Sequence, residues 1–122
     1  MASSFNGKSV NLLRDLGYTV EVVERYSPHS RRTKDLFGFL DVLAVGHGET
    51  VGIQVTSRGN MASRRRKMMD ENPETFRRLL DAGWQLEVHG WDQPDGPRTR
   101  WRLLTQRFNN GIWEPFSYRG KS

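Results

Sequence analysis

One acidic residue inside an apolar run constrains this chain more than any other feature. In Asp35-Leu36-Phe37-Gly38-Phe39-Leu40-Asp41-Val42-Leu43-Ala44-Val45, Asp41 is flanked on both sides by residues that belong in a core. Burying a carboxylate there is costly unless a cation or hydrogen-bond donors compensate, and a metal ion is one natural compensator. A second apolar run, Val51-Gly52-Ile53-Gln54-Val55-Thr56-Ser57, follows after Gly46-His47-Gly48-Glu49-Thr50, a glycine-containing connection suited to a hairpin.

The period of two in a strand puts Val51, Ile53 and Val55 on one face and Gly52, Gln54 and Thr56 on the other. In a hairpin the polar face looks toward Asp41. The expected result is an oxygen-rich cluster of one carboxylate, one amide oxygen, one hydroxyl and a backbone carbonyl, assigned to Asp41, Gln54, Thr56 and Val55. Hard divalent cations take such ligands and keep several waters. The alternative is a structural hairpin in which Asp41 caps a turn or pairs with an arginine.

Along the chain, Asn6 to Leu16 has helical spacing and stops at Gly17, and Tyr18 to Tyr26 alternates as a strand. Ser27 to Lys34 reads as a polar, basic loop. Arg58 lies in the turn after the second run, and Met61 to Asp70 reads as a helix carrying Arg64, Arg65, Arg66 and Lys67. Asn72-Pro73-Glu74 starts another helix, with Asn72 as cap, which runs to Ala82 and buries Phe76, Leu79 and Leu80. Three strands are then expected, over Trp84 to Trp91, Thr99 to Phe108 and Ile112 to Tyr118, with Asn109-Asn110-Gly111 as the last turn. Most of the tryptophans should be core, and Met1 to Ser4 and Arg119 to Ser122 should fray.

This order, αβββααβββ, together with Asp41 on one strand and Gln54-Val55-Thr56 on the next, resembles the PD-(D/E)XK nuclease superfamily, which includes Holliday-junction resolvases and single-domain phage and restriction nucleases. The superfamily carries an acid on one strand and a (D/E)-X-K tripeptide on the following one. Here Gln54 stands at the second acid and Thr56 at the lysine. The resemblance implies an α+β fold of the restriction-endonuclease-like kind: an αβββαβ core with a mixed central sheet flanked by helices, to which this chain adds a C-terminal β-hairpin. It also implies Mg2+ or Mn2+ as cofactor, held by Asp41 and Gln54 with the Val55 carbonyl. Asp35 is either a second carboxylate or a turn cap, and Glu21 and Glu24 are expected to face solvent. With no lysine at Thr56, the candidates to replace it are Lys34, Arg58 and Lys67, of which only a lysine can serve as base.

The chain has 122 residues, read as one nuclease-like domain, with 19 basic and 14 acidic residues and a net charge of +5. Such an excess favours a polyanionic partner, and duplex or branched DNA is the leading candidate, gripped by Arg31, Arg32, Arg58 and the Arg64–Lys67 tetrad; the alternative is charge that serves solubility. Successive helical residues turn by about 100°, so the tetrad cannot share one face. The absence of cysteine excludes disulfides and thiolate sites, and no run is apolar enough for a membrane span or secretory signal, which fits a cytoplasmic protein. The expected function is a metal-dependent DNA endonuclease of phage or mobile-element type. Its rivals are a nuclease fold that binds nucleic acid without cutting, and a homodimeric interaction module.

Overall fold

A computed structural model describes residues 4–118, and the mixed α/β architecture expected from the chain is what it contains. The elements are α1 (Ser4–Asp15), β1 (Thr19–Val22), β2 (Arg25–Ser27), β3 (Arg32–Lys34), β4 (Val42–Gly46), β5 (Glu49–Ser57), α2 (Met61–Asp70), α3 (Pro73–Asp81), β6 (Gln85–Asp92), β7 (Arg102–Asn109) and β8 (Ile112–Pro115). The frayed ends expected at Met1 to Ser4 and Arg119 to Ser122 lie outside the described residues, except that Ser4 opens α1.

Six strands form one mixed sheet in the order β1-β4-β5-β6-β7-β8, and β2 and β3 pair separately. All neighbours in the large sheet are antiparallel except β5 and β6. That parallel pair needs a crossover, which α2 and α3 supply. The hairpins are tight because His47-Gly48 and Asn110-Gly111 all adopt positive φ, the conformation of two-residue turns that match strand twist. No described helix is long and apolar enough to cross a membrane.

The two faces of the sheet carry separate cores. On one, Val10 and Leu13 of α1 pack with Val20, Val42, Ala44, Val51 and Ile53. On the other, Met61 and Met68 of α2 and Phe76 and Leu79 of α3 pack with Phe39, Leu40, Leu86 and Val88. Gly52 packs closely against the second core, since a Cβ there would stand 2.8 Å from Leu40 Cδ1.

Several expectations need correction. The strand expected over Tyr18 to Tyr26 ends at Val22, and the loop expected from Ser27 to Lys34 is a small hairpin with Arg31 at positive φ. Residues 35–40 are a compact turn closed by Leu36 and Leu40, not strand, because Phe37 and Gly38 both take positive φ. Asn72 makes no side-chain cap, although its carbonyl accepts from Phe76 N–H. Leu80 is half-buried, and of the tryptophans only Trp91 is buried. Trp113 is half-buried against the second core, and Trp101 is exposed with Phe5 edge-on to its ring and Lys8 over it.

Candidate metal centre

The backbone brings three carboxylates to the end of β4. Beyond the β1–β4 ladder, Val23 N–H donates to the Asp41 carbonyl (2.8 Å), which carries Glu24 alongside Asp41. The turn at 36–40 folds the chain back so that Asp35, just before it, returns to the same place. Carboxylate oxygens of Glu24, Asp35 and Asp41 lie within 4.8 Å of one another. Asn6 of α1 donates to Glu24 (2.9 Å), and Lys67 of α2 stands 3.9 Å from Asp35. Two helices on opposite faces of the sheet therefore hold the cluster.

Asp41 is only 5% exposed. Its Oδ2 accepts from Val55 N–H (2.9 Å) and from Gln54 Nε2 (2.7 Å). Burial pushes its carboxyl up to about 7; the Val55 N–H opposes this, and the charges of Asp35 and Glu24 reinforce it. Like charges this close in a buried site require either a proton or a cation.

Gln54, 1% exposed, gives the site its second distinguishing property. Its Oε1 is the one buried side-chain polar atom among the described residues with no hydrogen-bond partner. Turning the amide over would only set that oxygen against the Asp41 carboxylate. A buried acceptor left open in this way normally has a ligand or a water. Gln54 also lines a cavity of about 270 Å³ that it shares with Glu24, Asp35, Asp41, Thr56 and Arg64. Three carboxylates and one amide oxygen form a hard-oxygen donor set suited to Mg2+ or Mn2+.

The structure thus gathers Asp41, Gln54, Asp35 and Thr56 at one cavity, with two differences from the expected roles. Gln54 turns its nitrogen to Asp41, and Val55 contributes its N–H to Asp41. Glu24, expected to face solvent, belongs to the cluster, while Glu21 is exposed. Nothing in strand alternation could reveal this, because the strand ends before Glu24. Of the candidate lysine replacements, Lys67 reaches Asp35, whereas Arg58 pairs with Asp92 (3.1 Å) and Lys34 lines a neighbouring cavity.

The tetrad splays as helix geometry demands. Arg64 lines the carboxylate-bearing cavity, Arg65 bonds Gln106 of β7, Arg66 is exposed and Lys67 turns to Asp35. Arg31 and Arg32 are exposed on the small hairpin.

A second polar constellation lies on the α1 face. Ser9 Oγ is 2.8 Å from His89 Nδ1, and His89 Nε2 is 3.2 Å from Glu87 Oε1. The order is that of a hydroxyl nucleophile, base and acid, but all three residues are fully buried and Trp91 Nε1 also donates to Ser9. It is a packed network with no route for substrate. Comparison of the chain with family models, curated proteins and solved structures finds no match.

Proposed function

We propose that this protein is a divalent-metal-dependent phosphodiesterase acting on DNA, a nuclease of the PD-(D/E)XK kind with a D…QxT variant of the motif. The observation that carries this reading is the buried, unpartnered Gln54 Oε1 beside three converging carboxylates. Glu24, Asp35, Asp41 and Gln54 would hold the ion. A bound Mg2+ or Mn2+ supplies Lewis acidity and a water of lowered pKa. Arg64, on the wall of the same cavity, would neutralise a phosphate, and Lys67, 3.9 Å from Asp35, would orient that carboxylate.

Thr56 favours a second reading. It is buried on the cavity wall where the motif calls for lysine, so a protein that binds DNA without cutting it fits the same residues. Mn2+ titration by calorimetry, run beside cleavage of plasmid, linear and branched DNA, separates the two. Mn2+ binding with cleavage, both lost in Asp41→Asn, supports the nuclease; DNA binding without cleavage selects the second reading. No Mn2+ binding by the folded protein would refute the metal site and the nuclease reading with it.

A further inference from the structure

Asp35 has a cavity on each side. The second is larger, about 500 Å³, and is lined by the apolar Val23, Leu36 and Phe37 together with Arg25, Lys34 and Asp35. We propose that this cavity receives an unpaired nucleobase of the nucleic acid whose phosphate occupies the metal-type site, so that the substrate class is single-stranded or branched DNA, not continuous duplex. The inference rests on the nuclease or nucleic-acid-binding reading above and deepens it.

Three observations carry it. Phe37 is 47% exposed, yet its ring is backed edge-on by Trp84 at a centroid distance of 6.1 Å. A half-exposed aromatic supported in this way can serve as a stacking platform for a base. Phe37 also sits at φ 56°, a left-handed conformation that a bulky residue adopts only under constraint and that concentrates at ligand clamps.

The second observation is charge. Arg25 and Lys34 stand directly opposite each other in the β2–β3 ladder, and neither has an ion-pair partner among the described residues. Like charges across a two-stranded ribbon are destabilising unless an anion sits between them. A phosphate at the mouth of an apolar, aromatic cavity satisfies both. The third is continuity: Asp35 lines both cavities, so a base in one and the next phosphate in the other belong to one strand. A stacked duplex has no base free to enter.

The test is metal-free binding, so that it stands apart from cleavage. Fluorescence anisotropy compares a perfect duplex with the same duplex bearing a short single-stranded flap that contains 2-aminopurine. The flap probe is expected to bind about tenfold more tightly, as one stacking contact is worth, with quenching of the 2-aminopurine. Phe37→Ala should abolish the preference and the quenching, and Phe37→Trp should restore both. Since the ring is half-exposed, the alanine variant should keep the parent's circular dichroism. Equal affinity for the two probes, or a preference unchanged in Phe37→Ala, overturns the base pocket while leaving Mn2+ binding and cleavage as independent readouts of the metal site. Loss of Mn2+ binding with the flap preference intact would instead overturn the metal reading alone. Capture of proteins but neither DNA probe would overturn the pocket's assignment to nucleic acid.

Discussion

At the scale of single residues, Asp41 is decisive because its burial and its partners pull in opposite directions. Two donors from β5 hold one oxygen, while burial and the nearby charges of Asp35 and Glu24 push the carboxyl up to about 7. A cation must displace that proton. Mn2+ affinity should therefore rise about tenfold per pH unit up to about pH 7 and flatten above it; calorimetry across this range checks the slope. In the metal-free protein the sign is reversed. A raised folded-state pKa stabilises the fold at low pH, and that contribution is lost as pH climbs through about 7, so added Mn2+ should raise the melting temperature most at the alkaline end. Thr56 gives a second prediction. Thr56→Lys places an amine on the cavity wall and should raise cleavage by on the order of a hundredfold, the usual contribution of a positioned base. A folded, Mn2+-binding variant with parental activity would show that this position does not serve the attacking water.

At the scale of elements, α2 divides its charges by direction. Arg64 faces the cavity while Arg66 faces solvent, so Arg64→Ala should weaken DNA binding and flatten its salt dependence by roughly one unit of slope, and Arg66→Ala should do less. Alanine preserves the helix, which lets anisotropy at several salt concentrations report charge alone. Strand β5 makes a separate demand. Gly52 lies under Leu40 and Leu86, and Gly52→Ala should cost about 1–3 kcal/mol in urea unfolding because both neighbours are fully buried. Mn2+ affinity normalised to the folded fraction should change little.

At the scale of the whole molecule, the α1 face is tied together by an ionic network that reaches from β5 to β7. Arg107 donates to Glu87 at 2.8 Å and to both Glu49 oxygens at 3.0 Å, Tyr18 also donates to Glu49, and Tyr118 donates to Glu87. Burial pushes the Glu87 carboxyl up, but His89, Arg107 and Tyr118 outweigh it and leave Glu87 below the usual carboxylate range. A lowered folded-state pKa gives stability that is present above the unfolded pKa, near 4.5, and lost as pH falls below it. Thermal unfolding should show a steep acid limb, and Glu87→Gln should flatten that limb while lowering stability at neutral pH, since Arg107 then keeps an incompletely paired buried charge.

The sequence by itself determined the α/β class, the β4–β5 hairpin, both helices of the crossover and the convergence of Asp41 with Gln54. Each of these follows from periodicity and turn chemistry within a few residues, which the order of amino acids records directly. The tertiary structure alone decided that Glu24 joins the cluster, that Gln54 offers Asp41 its nitrogen, and that Lys67, not Lys34, approaches Asp35. It also made Phe37 a half-exposed edge of a cavity, although the run around it reads as strand. These outcomes depend on where β1 stops and on which way two positive-φ residues turn the backbone, and on how α1 and α2 approach opposite faces of one sheet. Such long-range geometry leaves no local period for the sequence to display.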